Sequence, residues 1–519
     1  MATEKTQDIL HHEKANEVYQ YTSIEELVEN PEHLINMIDD HRKYQVPRLE
    51  LLNDYFLGYN SSIEGRDDRK NEKADHRASH NYARYIAQFI QGYMTGVPIK
   101  LDTGEKPDTT EELVNETETI IETADGTQRV STFEAENGTP LLDDLVELND
   151  INEADALNSE LILDLSKYGR AYEMVYRDND DVDRFVILDV MRTFTIQDVD
   201  VTGNQIGAVY YTDDPVNDGD VLITLFSESH RYDIRLSGSN LDIEANPIFY
   251  DEVPIIEYSN NRFRQGDYEN VITLIDLYDS AQSDTANYMT DLNDAILAFS
   301  GNMEGSGLDS QTIKELLDMN ILFLGAGTNP DGSSSPITAQ YLYKQYDVAG
   351  TEAYKKRLEE DIHKFSNTPN LNDQNFSGQT TGVAMKYKLF GLEQSRAIKE
   401  RLFKRGLTKR YRLVNTLRGY LREESYDYIG DLEFQFTANL PESEEAELQA
   451  FYAAGGRLSN ETLLSTLSFV NDPLEEMRKI EAEDELYGKA TTDFQMFNMS
   501  NEDRMTLDEP VEVNEEEGE

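Results

Sequence analysis

A single basic helix in an acidic chain limits the possible folds more than any other feature of the sequence. From Val383 to Leu421 the sequence keeps a helical pattern and carries Lys386, Lys388, Arg396, Lys399, Arg401, Lys404, Arg405, Lys409, Arg410, Arg412 and Arg418, with Arg422 just beyond. Only Glu393 and Glu400 oppose them. The whole chain holds 46 Lys and Arg against 102 Asp and Glu, a formal net charge of −56. So dense a cationic run in such a background needs a specific partner, in its own fold or outside it. Leu389, Phe390, Leu402, Phe403, Leu407, Leu413, Val414 and Leu417 read as its packing positions.

A length of 519 residues allows several domains and ample core. The net charge argues against an ordinary DNA binder, whose surface would be basic. The chain has no Cys, so disulfides, thiolate nucleophiles and Cys-ligated metals are excluded. Met1 to Asp8 contain no apolar signal region, and no apolar run approaches the roughly 20 residues of a membrane span, so no leader and no membrane association are expected.

Along the chain, residues 1 to about 25 read as a polar arm. Helices fit Pro31–Tyr59, with Pro47 expected to kink or divide it, and Asp75–Met94, stopped by Gly96-Val97-Pro98. Residues 103–140 are acidic and poor in apolar side chains, and read as an exposed insertion or loop. A helix resumes near Leu141 and runs to Tyr168. Short β-branched or alternating runs follow at 170–177, 184–188, 193–199, 207–212, 221–227, 232–236 and 255–258, expected to form one antiparallel sheet domain. A long helix fits Tyr268–Asp294. After it come a short helix near Gln311–Asp318, an apolar strand Ile321–Leu324 and a Gly/Pro/Ser turn. A helix fits Thr351–Phe365. Beyond the basic helix lie a strand at Leu432–Thr437 and helices at 443–454, 463–467 and from about Pro473 to Leu486. The tail from about 490 is acidic and reads as disordered. The fold class expected is α+β.

Enzyme chemistry is not evident. His76 and His80, four apart on the expected helix with Glu72 and Asp75 nearby, are the only candidate metal pair, without a third ligand or an HExxH pattern. Gly327–Gly332 resembles a phosphate loop but lacks its Lys. Asp198–Gly203 starts like a calcium loop, yet Val209 stands where the bidentate Glu belongs. No catalytic, metal or cofactor site is expected.

The order of elements resembles the portal (connector) proteins of tailed double-stranded-DNA viruses of the long-tailed phage type. The residues that carry the resemblance are Tyr44, Pro47, Arg48, Leu52, Tyr55, Phe56 and Gly58, and then Asn81-Tyr82 through Gly92-Tyr93-Met94-Thr95-Gly96-Val97-Pro98-Ile99. They continue with Val253–Tyr258 before Asp267–Tyr278, and with Asn375-Phe376-Ser377-Gly378 before Thr381-Gly382-Val383-Ala384-Met385-Lys386. The likeness spans about residues 30–490. It implies a twelve-subunit ring in the virion at one capsid vertex, with no enzymatic activity. The ring would conduct double-stranded DNA during packaging and ejection. Its partners would be the terminase packaging motor, then a head–tail adaptor, and the major capsid and scaffolding proteins.

The resemblance also implies a division of the chain. An N-terminal arm would occupy 1–30 and a wing 31–266, with the 103–140 insertion outside the family pattern. Stem helices would span 267–294 and 351–366 around a clip at 295–350. A tunnel loop would run over 367–382, followed by the basic helix and a wing strand at 383–440, a crown at 441–489 and the tail at 490–519. Asn367, Asn370, Asn372, Gln374, Asn375, Ser377, Gln379 and Thr380 would border DNA, with Lys355, Lys356 and Lys364 near them. Arg401, Lys404, Arg405, Lys409 and Arg410 would pair with acidic neighbours between subunits. The alternative is a capsid-assembly protein of scaffold type that conducts no DNA.

The loop 367–382 contains neither Lys nor Arg. Each neutralised phosphate adds a salt-sensitive increment of affinity, so a loop of amides and hydroxyls suits sliding better than clamping. The acid excess suits a high-salt cytoplasm such as that of a halophilic host, with an acidic phage protein of an ordinary host as the alternative. At about 1 M salt the Debye length falls to about 3 Å and carboxylate repulsion is largely screened. The melting temperature is therefore expected to rise with KCl; greatest stability at low salt would rule this out.

Overall fold

The computed structural model describes residues 2–66, 74–102, 116–123, 126–133, 140–238, 240–292, 296–301, 321–325, 338–342, 347–370, 389–421, 432–439, 463–464, 476–477 and 479–480. The chain divides into two units, Met1–Ala438 and Asn439–Glu519. In the second unit the described residues are Asn439 and the helical pairs 463–464, 476–477 and 479–480; the rest of the expected crown helices and the tail lie outside the described residues.

The expected polar arm carries regular structure. Helix α1 (Ala2–Leu10) is followed by strand β1 (Tyr19–Tyr21), α2 (Ile24–Glu29) and α3 (Pro31–Asp40). Ser23 caps α2 by accepting the Glu26 N–H at 3.1 Å. A π-helical turn, His41–Gln45, then leads into α4 (Val46–Leu57). Pro47 thus stands where the helix expected over Pro31–Tyr59 divides. It lies in the first turn of α4, where its missing N–H costs little, and the wider turn before it supplies the Val46 N–H to His41 O bond. Helix α5 (Ser61–Glu64) and α6 (Tyr82–Thr95) follow. Helix α6 starts at the Asn81 cap, seven residues later than the apolar pattern suggests.

Next come β2 (Lys100–Asp102), then β3 (Glu116–Thr123) and β4 (Gly126–Phe133), which pair antiparallel within the region expected as a loop. Helices α7 (Pro140–Ile151) and α8 (Ala154–Tyr168) divide the single helix expected there, at Glu153 with φ 49°. The β-rich stretch comprises β5 (Arg170–Arg177), β6 (Asp183–Leu188), β7 (Thr193–Asp198), β8 (Gln205–Asp213), β9 (Asp220–Phe226), β10 (His230–Ser237), β11 (Asn240–Pro247) and β12 (Ile255–Ser259).

It forms two sheets where one was expected. One has the order β1-β7-β8-β9-β10-β11, with β1 parallel to β7, and the other has the order β12-β5-β6. The split follows from side-chain alternation. Phe194, Ile196, Val209, Tyr211, Ile223 and Leu225 bury one face of the larger sheet against Ile24, Leu27, Leu34 and Ile38 of α2 and α3. Thr195 points the other way, and its hydroxyl meets Glu257 of β12. The next residue, Tyr258, points away again, onto the basic helix.

Helix α9 (Ile272–Leu292) precedes a small sheet of β13 (Ile296–Gly301), β14 (Ile321–Gly325) and β15 (Thr338–Leu342), in the order β14-β13-β15. The helix expected at 311–318 lies outside the described residues. Helix α10 (Val348–Phe365), α11 (Phe390–Leu421) and β16 (Glu433–Gln435), which pairs with β2, complete the described α+β fold.

Burial pushes the Asp164 carboxyl on α8 up to about 6, against the opposing pull of Lys167. An acid raised in the fold binds more protons there than in the unfolded chain. Its contribution is therefore most favourable below about pH 4 and worsens as pH rises towards about 6. Asp164→Asn should leave stability nearly unchanged at pH 3 relative to the parent and raise it by about 2–3 kcal/mol at pH 7. Denaturant unfolding of both proteins across that range measures the gap.

Candidate channel and assembly site

The basic helix finds most of its partners in its own chain. Leu392, Lys399, Phe403, Gly406, Leu407, Arg410, Leu413, Val414 and Leu417 form the buried side of α11. At Gly406 the helix lies against the Tyr258 ring so closely that a Cβ would come within 2.1 Å of Cε1. Arg410 is fully buried: Nε donates to Glu173 Oε2 at 2.9 Å, Nη2 donates to Asn158 Oδ1 at 2.9 Å, and the guanidinium lies 5.0 Å over the Phe185 ring. Tyr258 also donates to Glu173, at 2.7 Å. Lys399 pairs with Asp267, which takes the Ser166 hydroxyl at 2.5 Å as well. Burial pushes the Lys399 amine down, with Asp267 pulling it back. Arg418 bridges Asp183 at 2.8 Å and Asp144 at 2.5 Å, and Arg396 lies between Glu393 and Glu400.

Of the five cations expected between subunits, Lys409 and Arg410 are corrected to internal roles. Lys409 donates to Gln205 Oε1 at 3.0 Å, and burial pushes its amine down to about 8. The signal was present in the spacing. Arg410 is in helical phase with Phe403, Leu407 and Val414, the apolar line, so a charge there must be buried with a partner. Lys404 is half-buried, 5.7 Å over the Phe436 ring. Arg401 and Arg405 are exposed and make no ion pair among the described residues.

Where α10 ends, the chain enters the expected tunnel loop through a capped turn. Asn367 takes a left-handed conformation (φ 56°), and the Thr368 N–H reaches back to His363 O at 3.1 Å. Asn367 Nδ2 donates to Ser395 Oγ of α11 at 3.3 Å, Asn370 Nδ2 to Glu359 Oε1 at 2.8 Å, and Tyr85 OH of α6 to Pro369 O at 3.0 Å. His363 Nδ1 donates to Thr368 O at 3.2 Å, with the Tyr82 and Tyr85 rings edge-on to it. Asn367 and Asn370 thus anchor the loop's root to α10 and α11. Asn372, Gln374, Asn375, Ser377, Gln379 and Thr380 lie outside the described residues. Lys355 is buried and paired with Glu352 at 2.6 Å, so it is withdrawn as a phosphate contact. Lys356 and Lys364 are exposed along α10.

A polar stripe on α9 escaped the sequence reading. Asp276, Asp279, Ser283 and Asn287 are all buried. Three of them receive the backbone of residues 76–80, which is extended. The N–H groups of His76, Ala78 and His80 donate to Asn287 Oδ1 at 2.5 Å, Ser283 Oγ at 2.9 Å and Asp279 Oδ1 at 2.9 Å. The match is geometric: four helical residues rise about 6 Å and two extended residues about 6.6 Å, so the ladders keep step. Asp276 takes the Tyr55 hydroxyl at 2.5 Å and the Ser62 hydroxyl at 2.9 Å, and burial raises its carboxyl above the usual range. This ladder holds 76–80 out of α6. His76 and His80 are therefore not four apart on a helix. Their rings meet Thr290 and Asp279, and no group of three or more metal-binding side chains occurs among the described residues.

Residues 35–489 match the family described as phage portal protein, SPP1 Gp6-like. This chain belongs to that family. The portal protein of Bacillus phage SPP1 is 25% identical over 388 residues, 69% of this chain and 72% of the relative. The portal protein of Clostridium phage phiCD119 is 24% identical over 256 residues, 49% of this chain and 53% of that one. A solved virion of a native gene transfer agent particle aligns over 73% of this chain and 87% of its own, at 13% identity and a TM-score of 0.36. The chain is a structural, non-enzymatic portal protein of a tailed-phage virion, where the family forms an oligomeric ring. No helix among the described residues is long and apolar enough to cross a membrane.

Ser283→Ala in this portal protein removes the partner of the part-buried Ala78 N–H, at a cost of about 0.5–1.5 kcal/mol. Hydrogen exchange should show faster exchange at Ala78, spreading to His76 and His80. Unchanged protection would show that the ladder does not hold the segment.

Proposed function

We propose that copies of this chain, twelve in the virion, close into a ring at one capsid vertex. Double-stranded DNA would pass along the ring axis during packaging and ejection. In this reading 31–266 and the basic helix with its strand (383–440) form the wing. Helices 267–294 and 351–366 form the stem, 295–350 a clip that docks first the terminase motor and then the head–tail adaptor, and 441–489 the crown. The observation that carries the reading is membership of the portal family over residues 35–489.

The anchored root supports the assignment of 367–382 as the tunnel loop. Bonds to α6, α10 and α11 fix where the loop begins, so a cation-free segment is presented from a firm base. Amides and hydroxyls exchange hydrogen bonds with a moving duplex without releasing counterions. A ring of lysines at the same place would add a salt-dependent grip at every phosphate. Lys356 and Lys364 are the remaining candidates for passing phosphate contacts, and Arg401, Lys404 and Arg405 for contact between subunits.

Removing residues 373–378 retains the Asn367 and Asn370 anchors. Rings should form at the parental yield, and particles should remain empty of DNA. Normally filled particles would remove the loop from the channel.

A further inference from the structure

A heterologous ring needs two different patches on each copy, one to meet the other around the circle. Chains of this charge repel one another, so patches of unlike sign favour their meeting. The wing carries such a pair on opposite sides. On one side Ile398 (52% exposed), Arg401, Arg405 and Arg412 lie along the outer face of α11, opposite its buried positions. Arg412 meets Glu252, but Arg401 and Arg405 have no acid within reach among the described residues. On the other side α2 and α3 expose Glu25, Glu26, Glu29, Glu32 and Asp39, and no Lys or Arg occurs from Tyr19 to His41.

The layering places these faces apart. Helices α2 and α3 cover the Phe194–Val209 face of the larger sheet. Thr195, on its other face, meets Glu257 of β12, and Tyr258, the next residue, packs on Phe403 of α11. From one side to the other the order is α2–α3, the larger sheet, the β12-β5-β6 sheet, then α11. The sides that look outward are therefore the acidic side of α2–α3 and the basic side of α11.

We infer that the Arg401–Arg405 face of α11 in one subunit docks on the acidic α2–α3 face of the next. The inference rests on the ring reading and names the partner surface within it. A second copy is the partner because each chain offers both halves of the contact, and a contact of unlike halves propagates from copy to copy until it closes.

The absence of cysteine makes a direct test clean. Under oxidation, a chain carrying both Arg401→Cys and Glu29→Cys should give a ladder of covalent oligomers ending at the closed ring. Each single variant alone should stay uncrosslinked, and a mixture of the two should stop at dimers. Rings visible by negative stain but without any ladder would overturn the pairing while leaving the ring intact. The charge exchange guards against variants that fail to assemble. Arg401→Glu with Arg405→Glu should abolish rings, and adding Glu25→Arg with Glu29→Arg should restore at least half the parental yield. Rings that survive the first pair, or stay lost after the second, would overturn the inference. A parent chain that stays monomeric at every salt concentration would remove the ring reading itself.

Discussion

The buried pairing of Arg410 with Glu173 determines which way the basic helix faces, and most of the structure follows from that. Arg410 cannot leave its site cheaply, because removing one partner of a buried ion pair strands the other charge at a cost of about 3–5 kcal/mol. Lys399, paired with Asp267, sits eleven residues earlier, three turns along nearly the same line of the helix. Two fixed points on one line leave the helix no rotational freedom. With those cations turned inward, Arg401 and Arg405 must point outward. Gly406 adds a steric key to the electrostatic one, since Tyr258 occupies the space a larger residue would need.

The same economy of contacts ties α9 and α10 to the start of α6. The extended segment 76–80 is bonded to α9 through three side chains, and His80 and Tyr82 both stand edge-on to Tyr278 of α9 at 5.0 and 5.2 Å. Tyr82 in turn stands edge-on to His363 at the loop's root, at 6.0 Å. One row of rings thus joins the 76–80 ladder, α9 and the end of α10. Residues 367–370 are held by α6 through Tyr85 as much as by α10, which they extend.

Much of this arrangement was readable in the sequence, where local chemistry and tertiary need agree. The long helices at 272–292, 348–365 and 390–421 follow from apolar spacing, and β5 to β10 and β12 from short alternating runs between Asp, Gly and Asn turns. The readings that failed did so where a long-range partner overrode a local pattern. Residues 75–81 carry helical spacing, but α9 offers acceptors at a four-residue period that only extended backbone can use. Strand β1 is three residues long and exists because β7 has a free edge beside it. In the site, the presence of cations on α11 was plain, but their division into inner and outer sets depended on helical phase. Composition gives charge without direction. Asn367 and Asn370 were recognised as loop residues, and their anchoring to Ser395 and Glu359 could come only from the fold.

The division of cations on α11 also explains how so acidic a chain could assemble. Repulsion between neighbouring copies reaches about a Debye length beyond contact, whereas an ion pair acts at contact. At physiological ionic strength the Debye length is about 8 Å, and near 1 M it is about 3 Å. Added salt therefore removes the long-range repulsion first, while pairs in contact lose less and buried pairs such as Arg410 with Glu173 lose least. A chain with its cations spread over the surface would lose attraction and repulsion together. A chain with some cations locked inside and a few concentrated on one outer stripe holds buried ion pairs that salt weakens little. In the proposed ring it would also keep an attractive contact once the background repulsion is screened, so high salt would favour ring closure over separation.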